Sequence, residues 1–245
     1  MIHLPQLAVD LPDRFPDPRA ALAEPNGLLA FGGDLSPQRL LTAYSLGIFP
    51  WFGEGEPILW WSPDPRCVFR TENLKINRSL RRQLTGKGWR LTVDHAFDQV
   101  IRACAAPRAG ESGTWLVPAM IDAYAQLHRQ GHAHSVEVWD GTQLIGGIYG
   151  VTIGRLFCGE SMFSAVSGAS KIALMALAQL LRELEFPLID TQVSNPHTQS
   201  LGAVEVPRAQ YLSEVDRLIR LPGHAGNWAD LTPRLLQPCM EQPAR

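Results

Sequence analysis

Residues 131–164, GHAHSVEVWDGTQLIGGIYGVTIGRLFCGESMFS, decide the fold class of the chain. Apolar and polar residues alternate in HAHSVEVW, as they do in a half-buried strand. Asp140-Gly141 is a strong hairpin turn, and QLIGGIYGVTI is the return strand. Gly154 turns the chain again into RLFCGESMFS. The stretch therefore predicts three consecutive strands joined by short turns.

Helical patterns flank these strands. Apolar residues recur at helical spacing over about residues 94–105, from Pro118 to Gly131, and over about residues 170–185, where Pro187 stops the helix. A short strand LIDTQV, a short helix and a last strand AVEVP follow. The order from residue 90 onward, α, α, β, β, β, α, β, α, β, predicts a mixed sheet surrounded by helices. Acetyltransferase-type acyl-transfer domains share this order.

The first seventy residues are richer in turns and aromatic side chains. Ser36 is a good N-cap, Pro37 suits the first helical position and Gly47 can end the helix, so one helix is predicted here. The segment IFPWFGEGEPILWWSPDPRCVF that follows is interrupted by prolines. It therefore predicts short strands and ordered loops.

Composition places the chain among ordinary globular proteins. Of 245 residues, 45% are hydrophobic and 19% charged, which argues against disorder. No window approaches the roughly 18 apolar residues of a membrane span, and the N-terminus lacks the pattern of a signal peptide, so we expect a cytoplasmic protein. The scattered cysteines are expected to be reduced thiols rather than a zinc site or a disulfide framework; they are Cys67, Cys104, Cys158 and Cys239.

Positive charge is concentrated in one segment although the net charge is -2. Lys75 to Arg90 contains basic residues and no acidic one. A short helix would place Arg78, Arg81 and Arg82 on one side. Such a patch either binds phosphate or is a solvated helix face.

Two segments carry unusual polar residues. In LIDTQV, strand alternation predicts Asp190 and Gln192 on the same face, where the Asp accepts from the Gln amide and the Gln oxygen is left for a donor such as an amine. The alternative is an internal polar pair. In FCGESMFS, Glu160 lies among apolar residues and either receives a cation at the rim of an apolar pocket or is a surface carboxylate.

Aromatic residues in loops allow two interpretations. Trp51, Trp60, Trp61 and Trp115 either stack on a nucleobase or pack in a core, and the second interpretation fits the adjacent Trp60-Trp61 pair better. His132 and His134 are expected to cap or pack rather than to bind a metal.

Several catalytic signatures are absent from the sequence. It has no GxxxxGK[ST] phosphate loop and no GxSxG elbow. QLIGGIYG superficially resembles the pyrophosphate-binding turn of acetyl-CoA enzymes, but it lies within a predicted hairpin, whereas such a turn opens a helix. We therefore expect an acyl donor other than coenzyme A.

A series of long motifs, in order over about residues 14–215, closely resembles leucyl/phenylalanyl-tRNA–protein transferases. The motifs are EPNGLLAFGGDLSPQRLLTAYSLGIFPWF, PILWWSPDPRCVF, SGTW, GHAHSVEVW, GGIYG, LFCGESMFS, ASKIAL, LIDTQV and HTQSLGA. The resemblance implies an α+β protein with a small N-terminal α/β domain (1–70), a basic connecting segment (71–92), an acetyltransferase-like (GNAT-type) mixed-sheet catalytic domain (93–235) and a tail (236–245).

The resemblance also implies a reaction. It is the transfer of Leu or Phe, and also Met, from aminoacyl-tRNA to proteins that begin with Arg or Lys, without a cofactor or metal, which marks the acceptors for N-end-rule degradation. An aminoacyl ester is already activated, so peptide-bond formation needs no ATP. A terminal amine with a pKa of about 7.7–8.0 needs only a modest proton acceptor.

Residue roles follow from the same resemblance, position by position. Asp190 and Gln192 match the pair that activates the acceptor amine, and Glu160 matches an acidic residue near the acceptor's basic side chain. The donor-binding positions are Trp51 and Trp115 for the 3′ adenosine, Phe157, Met162 and Ile189 for the transferred side chain, and Arg78, Arg81 and Arg82 for the tRNA body. Ile148 and Leu177 depart from the family's Met and Phe. These two changes leave open the preference among Leu, Phe and Met.

Two rival functions fit the same sequence. An acetyl-CoA-dependent N-acyltransferase has the same predicted fold, and a non-catalytic tRNA-binding module would keep the basic patch without needing Asp190 or Gln192. If the chain is the transferase, either Gln192 or the 2′-hydroxyl of the tRNA takes the amine proton.

Overall fold

Two mixed β-sheets form the framework of the protein. The computed structural model describes residues 4–74, 79, 82, 84, 86–106, 116–224 and 226–231. The smaller sheet has the order β1-β2-β4-β3, with β1 at Gln6–Leu7, β2 at Leu28–Gly32, β3 at Phe49–Pro50 and β4 at Leu59–Trp61. Strands β3 and β4 are short, as the proline-interrupted sequence predicted, whereas β1 and β2 lie outside that segment and were not predicted.

Helix α1, Pro37–Ser45, packs against this smaller sheet. The Oγ of Ser36 accepts the backbone N–H of Arg39 at 3.4 Å, and Pro37 occupies the first turn. Gly47 turns the chain after the helix with φ 71°, a conformation that favours glycine. The predicted start and end signals of this helix are therefore confirmed.

The larger sheet has seven strands in the order β11-β5-β10-β9-β8-β7-β6. They are β5 (Arg66–Arg70), β6 (Arg90–Val93), β7 (Ala133–Asp140), β8 (Gln143–Ile153), β9 (Leu156–Ser164), β10 (Leu188–Asp190) and β11 (Val204–Val206). Neighbouring strands are antiparallel except β9 and β10, which are parallel. The predicted meander is β7-β8-β9, and QLIGGIYG lies inside β8, which confirms that it does not open a helix.

Further helices accompany the larger sheet. They are α2 (Phe97–Ala105), α3 (Pro118–Arg129), α4 (Ala169–Glu183), α5 (Pro196–Ser200) and α6 (Arg208–Leu218). A Cβ atom at Gly146 would lie 2.5 Å from Ala169 of α4, and one at Gly147 would lie 3.0 Å from Val100 of α2. Since successive residues of a strand point to opposite faces, α4 and α2 cover opposite faces of the sheet.

The mixed sheets and surrounding helices confirm the predicted α+β class and the order of elements from residue 97 to residue 206. Strand β6 and helix α6 were not predicted. Strand β5 lies within the predicted N-terminal unit 1–70, yet it pairs with β10 and β11 of the larger sheet. The division into domains remains a prediction.

A bulge in β9 lies at the edge of the cavity described below. Tyr149 of β8 lies opposite Ser161, and Gly150 lies opposite Gly159, so Glu160 is the extra residue of β9. Strand β10 ends at Asp190, and its pairing with β9 is limited to residues 156–158 of β9. Beyond residue 158, β9 therefore continues with β8 as its one partner among the described strands, and a cavity opens on its other side.

Candidate active site

A cavity of about 1240 Å³ lies between the second half of β9 and the segment that follows β10. Its apolar lining includes Phe69, Ile148, Met162, Phe163, Leu174 and Ile189. Its polar lining includes Glu160, Ser161, Gln192, Ser194, Asn195 and His197. The exposed residue Trp51 lies at its border with the small sheet. The cavity thus combines an apolar pocket with a polar wall, the combination typical of a small-molecule site.

Asp190 does not face this cavity. Its side chain is fully buried and forms a bidentate ion pair with Arg66, at 2.8 Å from Nε to Oδ1 and 2.6 Å from Nη2 to Oδ2. The hydroxyl of Tyr211 donates to Oδ2 at 2.8 Å. The predicted side-chain relay between Asp190 and Gln192 therefore does not form, because the carboxylate of Asp190 is bound by Arg66 and Tyr211. From Gln192 this carboxylate accepts the backbone N–H, at 2.9 Å, and not the side-chain amide.

Gln192 points the other way because it lies beyond the strand. It has a φ of 63°, in the left-handed region, so the strand alternation that would place Asp190 and Gln192 on one face is broken. The side chain of Gln192 lines the cavity, and its Nε2 donates to Oε1 of Glu160 at 2.8 Å. The amide therefore has a carboxylate partner, but this partner is Glu160.

Glu160 is half-buried at the polar wall of the cavity. Besides Gln192, its carboxylate accepts the hydroxyl of Tyr124 at 2.8 Å, and Tyr124 bonds in turn to the hydroxyl of Tyr44 at 2.6 Å. Burial raises the pKa of Glu160 to about 7, while the hydroxyls of Tyr44 and Tyr124 act in the opposite direction. The ionised carboxylate is held at a site where a cation from solution would relieve the cost of burial.

The charge of the cavity wall depends on Glu160. Among the described residues that line it, Glu160 is the one acidic side chain, and none is Lys or Arg. An ionised Glu160 therefore gives this wall a single negative charge next to an apolar pocket. This arrangement favours a substrate that carries an apolar group and a cationic group close together.

The apolar pocket contains two of its three predicted members. Met162 and Ile189 line the cavity, as does Ile148. The third, Phe157, does not line it. Its side chain is fully buried, next to Trp228 at 6.5 Å between ring centroids.

The predicted roles of the tryptophans separate in the structure. Trp51 is 44% exposed and its ring lies 5.7 Å from that of Trp61, so one face is left accessible. Trp60 is fully buried and packs edge-on against Phe15, which confirms a core role. Trp115 lies outside the described residues.

The basic segment is described only in part. Arg82 is exposed, whereas Arg78 and Arg81 lie outside the described residues.

His134 stacks on Trp228 at 3.7 Å between centroids and bonds to Asp94 at 2.8 Å, so its predicted packing role is confirmed. Within the described part of the chain, no three His, Cys, Asp or Glu side chains are placed to hold a metal ion.

Sequence reasoning missed the buried residues that form hydrogen bonds to Asp190 and Glu160. Arg66 and Tyr211 are fully buried around Asp190, and the hydroxyl of Tyr124 donates to Glu160. One signal was present for Arg66, because a charged residue in the apolar run RCVF needs a buried partner. No helix of the described chain is long and apolar enough to cross a membrane.

Comparisons with known proteins show which family the chain is similar to. A family model for leucyl/phenylalanyl-tRNA protein transferase matches residues 68–216, and the model for the N-terminal domain of the same family matches residues 33–64. Leucyl/phenylalanyl-tRNA–protein transferase of Xanthomonas euvesicatoria pv. vesicatoria (strain 85-10) is 59% identical over 88% of this chain and 86% of its own length. The enzyme of the same name from Shewanella woodyi (strain ATCC 51908 / MS32) is 53% identical over 89% and 92%. The solved structure of L-PGS from Bacillus licheniformis overlaps 68% of this chain and 53% of its own at 11% identity, with a TM-score of 0.40, too low to bear on the fold.

Proposed function

The chain belongs to the leucyl/phenylalanyl-tRNA–protein transferase family, and from this premise we propose which residues bind the donor, which bind the acceptor and which align the reacting amine. It is an aminoacyltransferase that transfers Leu or Phe from aminoacyl-tRNA to the N-terminus of proteins that begin with Arg or Lys. The observation that carries the assignment of residues is the cavity in which Glu160 and Gln192 face an apolar pocket.

The donor occupies the apolar half of the cavity. Ile148, Met162 and Ile189 receive the transferred side chain, and Trp51 stacks on the 3′ adenosine, together with Trp115. An apolar pocket distinguishes side chains that differ by one methylene by only about 1–3 kcal/mol. The pocket therefore accepts Leu, Phe and Met, because it discriminates only weakly among apolar side chains.

The acceptor occupies the polar wall. Glu160 receives the cationic side chain of the first residue, Arg or Lys, because this contact replaces the water that the half-buried carboxylate has lost. A first residue without charge leaves Glu160 unpaired and is disfavoured. The donor and the acceptor thus meet where the apolar pocket borders Glu160.

Gln192 aligns the acceptor amine. Since its Nε2 donates to Glu160, its Oε1 is left to accept a hydrogen from the amine. The neutral amine nitrogen attacks the ester carbonyl, a peptide bond forms, the carbon–oxygen ester bond breaks, and the 3′-oxygen gains the proton that the amine loses. Positioning of amine and ester supplies the largest share of the acceleration, for which roughly 7–11 kcal/mol is attainable.

Three broader parts of the proposal rest on the family and on the order of elements. The catalytic unit has an acetyltransferase-like (GNAT-type) arrangement, preceded by a small N-terminal domain and the basic connecting segment. The enzyme acts in the cytoplasm, where its products enter N-end-rule degradation. The basic segment with Arg78, Arg81 and Arg82 faces the tRNA body.

One assay tests the proposed function. Purified protein is mixed with radiolabelled leucyl-tRNA and peptides that start with Arg, Lys or Ala. Label is expected in the first two peptides only. A parallel reaction with labelled acetyl-CoA tests the rival acyl donor. Labelling from acetyl-CoA with none from leucyl-tRNA contradicts the proposal.

The substitution Trp51→Ala is expected to weaken aminoacyl-tRNA binding by roughly 1–3 kcal/mol, the value of one lost base stack. Because Trp51 is 44% exposed, the far-ultraviolet circular dichroism should hardly change. Fluorescence titration with leucyl-tRNA measures the affinity. Trp60→Ala is the matched comparison, since loss of this buried ring unfolds the protein rather than weakening one ligand. Normal affinity of a folded Trp51→Ala variant would remove Trp51 from the donor site.

Neutralisation of Arg78, Arg81 and Arg82 is expected to weaken binding of full-length tRNA and to flatten its salt dependence. Each lost phosphate contact removes about 0.7–0.9 from the slope of log K against log salt concentration. A minimal aminoacyl-adenosine donor, which lacks the tRNA body, should react as before. Equal losses with both donors would refute a contact with the tRNA body.

A further inference from the structure

We infer that Arg66 and Tyr211 are positioning residues for the transfer reaction, acting through Asp190 to hold Gln192 in the conformation that presents its amide to the acceptor amine. The inference rests on the proposed role of Gln192. Neither Arg66 nor Tyr211 lines the cavity and both are fully buried, so they act without touching the substrate.

The backbone at Gln192 needs such support. Its φ of 63° is unfavourable for a residue with a Cβ atom and persists only where the surroundings impose it. Two hydrogen bonds hold it, one from its N–H to Oδ1 of Asp190 at 2.9 Å and one from the N–H of Cys67 to its carbonyl at 3.1 Å. The conformation of Gln192 therefore depends directly on where the Asp190 carboxylate is held.

The position of that carboxylate is set by three hydrogen bonds from two residues. Arg66 binds both oxygens of Asp190, and Tyr211 of α6 donates to Oδ2. The Arg66 guanidinium is itself enclosed between the rings of Phe49 and Tyr211, at 4.7 and 4.6 Å from the two ring centroids. Its Nη1 donates to the carbonyl of Gly47 at 3.1 Å.

These contacts connect distant parts of the chain to one amide. The chain of contacts runs from the small sheet and α6, through Arg66 and Asp190, to the backbone of Gln192, and from its side chain to Glu160. A planar guanidinium with two parallel bonds fixes the direction of a carboxylate as well as its charge. We therefore expect a small displacement of Asp190 to misalign the Gln192 oxygen and to reduce turnover without affecting substrate binding.

The substitution Tyr211→Phe tests the inference with little disturbance, because it removes one hydroxyl and keeps the ring against Arg66. We expect kcat to fall by roughly tenfold, the factor that corresponds to about 1.4 kcal/mol. KM for an Arg-starting peptide and affinity for leucyl-tRNA should stay unchanged. Tyr149→Phe is the matched control, since the buried Tyr149 hydroxyl has no hydrogen-bond partner among the described residues.

A double-mutant cycle with Gln192→Ala separates positioning from a general structural effect. If Tyr211 acts through Gln192, Tyr211→Phe should cost nothing further in the Gln192→Ala background. A tenfold loss in both backgrounds would overturn the inference, as would equal kcat values for Tyr211→Phe and Tyr149→Phe. If the wild-type protein transferred no leucine at all, the proposed function itself would fail, and that result is distinct from both.

Discussion

Glu160→Gln should lower kcat/KM for an Arg-starting peptide by about thirtyfold or more. Removing one partner of a desolvated charge pair costs about 2–5 kcal/mol or more, and the effect should lie mainly in KM for the acceptor. Affinity for leucyl-tRNA should be nearly unchanged, because the transferred side chain binds to the apolar lining. Initial rates with varied peptide and saturating donor measure the effect.

A peptide that starts with citrulline makes this test specific for charge, because citrulline is neutral and has nearly the shape of arginine. The wild-type protein should strongly prefer the Arg peptide, and Glu160→Gln should nearly abolish the preference. Glu137→Gln is the matched control, since Glu137 is also a buried carboxylate whose pKa is raised by burial, but it lies outside the cavity. Full preference for Arg in the Glu160→Gln variant would place the acceptor site elsewhere.

Asp190→Ala should destabilise the protein by about 3–5 kcal/mol, because it leaves the guanidinium of Arg66 buried without its carboxylate. It also removes the acceptor of the Tyr211 hydroxyl and of the Gln192 N–H. Urea unfolding followed by tryptophan fluorescence measures the free energy of unfolding. A loss below about 1 kcal/mol, the scale of an exposed ion pair, would contradict the buried ion pair.

The double variant Arg66→Met/Asp190→Leu separates stability from activity. Replacing both members of a buried ion pair by apolar residues of similar size is often neutral for stability. We expect this variant to recover most of the stability lost by Asp190→Ala while its kcat stays low, because Gln192 has no carboxylate to hold its N–H. Recovery of activity together with stability would show that the pair only supports the fold.

Local patterns of the sequence were sufficient for the framework. Ser36 and Pro37 begin a helix, and Asp140-Gly141 joins two strands, because capping and turn chemistry depend on neighbours in the chain. Strand β6 was missed because its four residues, RLTV, directly follow the basic segment and carry too short an alternation to be recognised.

The geometry of the site was less accessible to sequence reasoning. Asp190 and Gln192 alternate as strand residues should, but the strand ends between them. The left-handed backbone at Gln192 is bound by the N–H of Cys67, far along the chain, and by the carboxylate of Asp190, which pairs with Arg66. The bulge at Glu160 is set by the register of β8 and β9. Pairing between distant segments decided both features, and periodicity within one segment does not report it.

Several residues predicted for the site are brought together by the fold. Glu160, Gln192, Met162 and Ile189 line one cavity although they come from two separate segments. Phe157, which the resemblance assigned to the same pocket, is fully buried and does not line the cavity. Asp190 was assigned to the amine because the buried ion pair with Arg66 is invisible in either segment alone.

The pH dependence of kcat/KM for an Arg-starting peptide tests most directly whether the carboxylate of Glu160 works in the acceptor site. Two groups must lose a proton, the acceptor amine with a pKa of about 7.7–8.0 and Glu160, whose pKa burial raises to about 7. Below pH 7, log kcat/KM of the wild-type protein should therefore rise with a slope of about two per pH unit, and that of Glu160→Gln with a slope of about one. Equal slopes in the two proteins would contradict the account.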